Sequence, residues 1–254
     1  MCVVWKYLIL VGDFVDENTR LKLLAGLPIK VDSLLKIKPL TLRQIADMDY
    51  EQYNIYLSNL VADPKDFTFA KEIDVSKFST WDIIADNMYH GGDEYREFIL
   101  NCLKFILNEK VTFIYCKGCF YIGDIKWKIV LNKDNYESFK NVLNFQNCLD
   151  KNKDNMKTAN SKAEEIKQKI LKGRQLLQKK SGLEVTFEDL ISVMAANGNG
   201  LNVLNVWELT LYQFNNQFSR MQMIEDYDIN IRSLLAGAKK EDIQLKHYIR
   251  KIEN

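Results

Sequence analysis

From Leu204 to Ile224, large apolar residues recur every three or four positions: Leu204, Trp207, Leu211, Phe214, Phe218, Met221 and Ile224. That rhythm draws one stripe along a helix, and Trp or Phe side chains, each with roughly 150 Å² or more to bury, demand a partner surface. Residues 205–238 are therefore expected to form one long helix with most of the stripe in a core, and Gly237 sits where the residue after a helix end belongs. Beside the stripe run Gln213, Asn215, Asn216, Gln217, Ser219 and Gln222, a polar face almost without charge. Uncharged amides suit a surface that another protein covers part of the time. The competing reading is an ordinary buried helix.

A second feature limits the fold from the other side. The clear β signal is "KVTFIYCKGCFYIGDIKWKIVL", residues 110–131, rich in β-branched and aromatic residues with turn positions at Lys117-Gly118 and Gly123-Asp124. It predicts a two- or three-stranded meander, which is marginal alone and must pack on helices. Helical patterns surround it. Residues 17–25 form a short candidate, Gly26 and Pro28 break the chain, and "IKVDSLLKI" follows as strand or extended chain. Thr41 with Gln44 is a capping-box pattern opening a single helix that Pro64 ends. Another helix starts at Thr80, read as its cap, and stops at Gly91-Gly92. In the next, Tyr95, Phe98, Ile99, Cys102, Phe105 and Ile106 share one face. With "YESFKNVLNFQNCL" after the meander, this makes an α+β unit over residues 1–150.

Residues 151–180 change character: ten Lys or Arg against three Asp or Glu, about +7 in a chain whose formal charge is +1 overall. The narrow seam of Met156, Ala159, Ala163, Ile166, Ile170 and Leu177 reads as a charged connecting helix, either solvated or leaning on a partner. A C-terminal helical domain is expected over 183–254: Thr186 with Asp189 capping "FEDLISVMAA", a turn at "NGNG", the long helix, and a last amphipathic helix, "KKEDIQLKHYIRKI". The expected class is α+β and predominantly α-helical: an N-terminal helical unit with a small β-hairpin or meander, a charged connecting helix over 151–182, and a C-terminal helical hairpin or bundle.

Few residues carry chemistry in a recognisable arrangement. Thirty-five basic against 34 acidic residues give no global field for nucleic acid or anionic membrane. The lysine run lacks an aromatic to stack a base, and Glu164 and Glu165 interrupt it. Five cysteines suit a reducing compartment. The apolar run at residues 2–11 is interrupted by Lys6 and precedes no small-residue cleavage site, so it reads as a buried strand or docked terminal segment of a cytosolic protein. Cys116 and Cys119 have the C-x-x-C spacing of half a zinc site or a redox pair, but no second pair completes it. They are read first as hairpin residues, with metal or thiol chemistry as the alternative. His90 beside Asp93 and Glu94 reads as a helix stop followed by acids at a helix start. His247 has no partner motif, and Gly198 and Gly200 form a turn rather than a nucleotide fingerprint. No catalytic residue, cofactor or metal is assigned.

Three segments in order, "KPLTLRQIADMDYEQYNIYLSNL", "TFIYCKGCFYIGDIKWKIVLNKDNYESFKNVL" and "LTLYQFNNQFSRMQMIEDYDINIRSLLAGA", resemble a family of tail proteins from long-tailed bacteriophages of Gram-positive hosts, often regarded as tail assembly chaperones. The similarity runs from Lys38 to Ile252 and leaves the apolar N-terminus outside it. The resemblance implies a binding function without catalysis, in which helical surfaces keep the long tape measure protein soluble until tail tube subunits polymerise around it. Expected partners are the tape measure or tail tube protein, with self-association compatible, and the expected location is the host cytoplasm or the virion. Trp207, Gln213, Phe214, Asn216, Gln217, Phe218, Met221 and Tyr227 are the candidate contacts. A structural tail, baseplate or connector protein is the alternative.

Overall fold

Helices wrap a small antiparallel meander in a computed structural model that describes residues 16–66, 77–149, 185–197, 200–239, 243, 245–250 and 252. The apolar run 2–11 and the charged run 151–180 lie outside the described residues. The observed class is α+β and predominantly helical.

The chain begins with helix α1 (Glu17–Leu24), whose first turn is capped by the Asp16 carboxylate accepting from Thr19 N. Where the sequence reads as strand or extended chain, the structure forms a miniature hairpin, β1 (Ile29–Lys30) against β2 (Lys36–Ile37). Its turn is tied by Asp32, whose carboxylate accepts from Leu34 N and Leu35 N, each at 2.7 Å. The single helix expected after Thr41 is instead two, α2 (Leu42–Met48) and α3 (Tyr50–Val61). The break is Asp49, at φ 103°, which accepts from Glu51 N at 2.7 Å and Gln52 N at 3.3 Å and so serves as the N-cap of α3. The Thr41–Gln44 capping box is present.

Helix α4 (Thr80–His90) is capped one residue earlier than expected, by Ser79 in a box with Asp82. Thr80 is instead buried, donating its hydroxyl to Ala62 O at 2.7 Å. Helix α5 (Asp93–Leu107) follows the two glycines and ends at Asn108 in the left-handed region. It buries Ile99, Cys102, Leu103 and Ile106, while Tyr95, Phe98 and Phe105 pack at the margin.

The meander has three strands, β3 (Val111–Ile114), β4 (Cys119–Ile122) and β5 (Val130–Leu131), ordered β3-β4-β5. Its register pairs Phe113 with Phe120 and Phe120 with Leu131. Helix α5 packs on β3, and helix α6 (Lys133–Gln146), boxed by Asn132 and Asn135, follows the meander and packs against α3 and α4. Phe120, Tyr136 and Phe139 are wholly buried, and Trp81 meets Phe120 edge-on at 5.7 Å between centroids. This main core also holds Lys140 at 2% exposure, its ammonium donating to Asp63 Oδ1 at 2.7 Å, Thr80 Oγ1 at 2.9 Å and Ala62 O at 3.2 Å.

Two helices follow the undescribed run: α7 (Phe187–Asn197), with the expected Thr186–Asp189 bonds, and α8 (Leu211–Leu235). The long helix starts later than the apolar rhythm suggests. Val206–Glu208 is a 3-10 turn, and Thr210 caps α8 in a box with Gln213. Of the apolar stripe Phe214 is buried and Trp207, Leu211, Phe218 and Met221 pack half-buried against the core, while Leu204, in the turn ahead of α8, and Ile224, beyond its fastened turns, are exposed. One expectation needs correction. No terminal helix appears among the described residues of 245–250, which run in bends. The Arg220 guanidinium donates to Tyr248 O at 3.0 Å and Arg250 O at 2.6 Å, and carbonyls held this way are not available to a helix.

Candidate functional site

Helix α8 holds most of the candidate contact residues, and its three sections have different surroundings. The first two turns are fastened to the rest of the protein. Leu42 N donates to Leu209 O at 2.8 Å and Thr41 bridges Thr210 in an antiparallel pair, so the entry to α8 is stitched to the entry of α2. Phe214 is enclosed with Leu42, Ile191, Met194 and Val206, with Phe187 edge-on at 5.4 Å and Phe218 stacked at 6.1 Å. Trp207, Phe218 and Met221 pack at the border of this second cluster, half-buried. Tyr50 stacks on Phe187 at 4.6 Å, tying α3 to α7. The Arg43–Glu208 pair at 2.8 Å spans the same junction, but both side chains are mostly exposed, and such pairs contribute about 0–1 kcal/mol.

Gln213 is spent inside the chain. Its side-chain oxygen closes the capping box at Thr210 N, and its amide donates to Leu24 O at 2.9 Å beside Gly26. Asn216 is half-buried and Gln217 exposed, and neither side chain has a hydrogen-bond partner among the described residues. Asn216 and Gln217 thus present amide groups from a helix that Phe214 anchors in the second cluster.

The middle and last sections differ again. Tyr227 is covered by the tail, with His247 at 5.2 Å and Tyr248 at 5.5 Å between centroids, and Arg220 clasps the same segment. Arg220 was not a sequence candidate; an arginine amid amides gives no sign that it will bind carbonyls thirty residues on. Beyond Tyr227, Ile229 and Leu235 are 60% and 83% exposed.

The thiol candidates sit elsewhere. Cys116 is exposed in the β3–β4 turn and Cys119 is buried in β4, where burial pushes its thiol above the ordinary value although the Lys117 ammonium pulls the other way. Cys102, inside α5, is raised by burial to about 12. High thiol pKa values keep these groups protonated and weak as nucleophiles near neutral pH. Among the described residues, no group of three or more His, Cys, Asp or Glu side chains is placed to hold a metal ion. His90 lies exposed at the end of α4, 3.9 Å from Asp86, apart from His247 on the α8 tail. A cavity bordered by Tyr53, Ile106, Leu143 and Leu211 measures about 10 Å³, room for one water, where small-molecule sites need roughly 300 Å³. No helix among the described residues is long and apolar enough to cross a membrane.

Residues 178–253, which include α7, α8 and the clasped tail, match the family described as "YomV second domain". No curated protein and no solved structure matches the chain. The matched family is phage-derived, and the match points to a phage protein.

Proposed function

We propose that this phage protein acts in tail morphogenesis as a chaperone-like binding protein, holding the tape measure protein or another tail component through the amide side of α8. Three lines support the reading: the resemblance of its segments to tail assembly chaperones, the phage-derived match over residues 178–253, and the geometry of α8. The observation that carries it is the pairing of a fastened helix with free amides. Phe214 and Gln213 fix α8 in place, while Asn216 and Gln217 keep their hydrogen-bonding groups for an incoming chain. Preorganised polar groups lose little entropy on binding, and amides are desolvated more cheaply than charges, so such a surface can be covered and released.

Changing Asn216 and Gln217 together to Glu tests this. Surface substitutions cost within about 0.5 kcal/mol, so helical circular dichroism and melting should stay close to those of the parent. Co-purification with the co-expressed tape measure protein should fall, because two carboxylates would have to be buried without partners. An intact fold with undiminished capture rules this face out. Mass spectrometry of purified virions separates the chaperone from a structural tail protein: the chaperone is expected to be absent from mature particles, and stoichiometric recovery overturns that role.

A further inference from the structure

The side of α8 that faces away from Phe214 carries a seam. With successive residues about 100° apart, Met223, Tyr227, Ile231 and Leu234 fall within about 80° of one another, with no charged residue among them, and Arg220 stands at their head. Arg220, Met223, Tyr227, Asn230 and Leu234 follow alternating steps of three and four residues, the spacing by which one helix packs along another. Asn216, one turn above Arg220, continues the same line, so the seam runs on from the amide groups. All six residues are half-buried.

The chain's own tail lies on this seam and is held there lightly. Arg220 Nη1 donates to Tyr248 O and Arg250 O and comes within 3.9 Å of Met223 Sδ. His247 and Tyr248, stacked on each other at 4.5 Å, rest against Tyr227, and Ile249 N donates to His247 Nδ1 at 3.0 Å. The tail buries little in return, with Leu245 43% and Ile249 76% exposed. Arg250 Nε is buried without a hydrogen-bond partner among the described residues, a penalty that opening would remove. The tail reads as an amphipathic helix in sequence, but the clasp on its carbonyls keeps it in bends.

We propose that residues 245–250 are an internal, displaceable occupant of the seam, and that they give way to an amphipathic helix of a partner protein. That helix carries apolar residues in the same heptad repeat and a carboxylate to meet Arg220. The spacing of the seam selects a helix, and the guanidinium, which holds two carbonyls in the closed state, gains a charge-assisted pair in the open one. An incoming helix can lie along α8 from Asn216 to Leu234, roughly 27 Å at about 1.5 Å per residue, whereas the tail's hydrogen bonds and ring contacts reach Arg220 and Tyr227. The two occupants compete for Arg220 and Tyr227, so the tail sets how much of the seam is open. The identity of the partner rests on the chaperone reading; the closed and open states of the tail do not.

His247→Ala with Tyr248→Ala opens the strap from the tail side and leaves every residue of α8 in place. In hydrogen exchange of the whole protein, residues 245–250 should exchange faster in this variant than in wild type, while the first turns of α8 keep their protection. The binding probe is a fluorescein-labelled peptide of about 21 residues, three heptads with leucine at a and d and glutamate or lysine elsewhere, followed by anisotropy. It should bind the tail variant about fivefold or more tighter than wild type, because apparent affinity follows the fraction of open molecules. Adding Tyr227→Glu and Ile231→Glu to that variant should abolish binding with helical circular dichroism retained. Equal affinity for wild type and the tail variant overturns the proposal, as does unchanged exchange of the tail or a peptide that binds neither protein. Capture of the co-expressed tape measure protein is measured on the same pair and should also rise. Peptide binding that rises in the tail variant, with no tape measure protein captured by either, supports the strap and refutes the chaperone reading.

Discussion

At the scale of single residues, Lys140 shows what sequence patterns conceal. In "YESFKNVL" it occupies a position that reads as a solvated helix lysine, yet it is 2% exposed and bonded to Asp63, Thr80 and Ala62 O. It joins the end of α3, the start of α4 and the middle of α6 through one ammonium group. Replacing it with Met keeps the volume but removes three charge-assisted bonds. Because the Asp63 side chain is 32% exposed, the expected loss is about 2–3 kcal/mol, below the roughly 3–5 kcal/mol for breaking a fully buried pair. Urea unfolding of Lys140→Met checks this, and a loss under about 0.5 kcal/mol would mean that the ammonium is structurally idle. The cysteines are a case where the hairpin reading and the C-x-x-C spacing of Cys116 and Cys119 pull apart: the hairpin sends one outward and the other into the sheet. Spacing along a chain does not fix the side of a strand when a turn intervenes.

At the scale of elements, legibility depended on whether the signal was local. Capping boxes at Thr41 and the Thr186–Asp189 pair were readable because their two partners lie three residues apart. The meander was readable from its β-branched and aromatic run, and Gly237, at φ +98°, from its place after α8. The break at Asp49 was missed because Leu42, Ile45 and Met48 continue in helical spacing into Tyr56, Leu57 and Leu60, and apolar period alone does not register one non-helical residue. Asp49 combines an unfavourable φ of 103° with a useful carboxylate, and the two can be separated by mutation. Asp49→Ala loses the cap and keeps the strain, for an expected cost of about 2 kcal/mol. Asp49→Gly loses the same cap but removes the steric penalty, so it should be clearly more stable than the alanine variant. Thermal melts of the pair decide it, and the reverse order would show that the backbone relaxes out of this conformation once the carboxylate is gone.

At the scale of the whole molecule, the phage-derived match covers residues 178–253, but the core of that segment is not self-contained. Leu42, from α2, is 1% exposed among Ile191, Met194, Val206 and Phe214, and the Leu42 N to Leu209 O bond and the Gln213 bond to Leu24 O also cross from outside the matched segment. No periodicity reveals such a contribution, since Leu42 and Ile45 lie on one short helix and serve different clusters. The amide side of α8 is therefore positioned by the N-terminal part of the chain. Leu42→Ala should cost about 2–5 kcal/mol, concentrated in the second cluster. Hydrogen exchange followed by mass spectrometry should then show α7 and the first turns of α8 losing protection, while α5, packed through Ile99 and Leu103 into the main core, keeps most of its own. Equal loss in α5 and α8 would mean that both clusters open as one cooperative unit. Unchanged protection in α8 would mean that the C-terminal helices hold together without the leucine, and that the amide surface is organised by residues 178–253 alone.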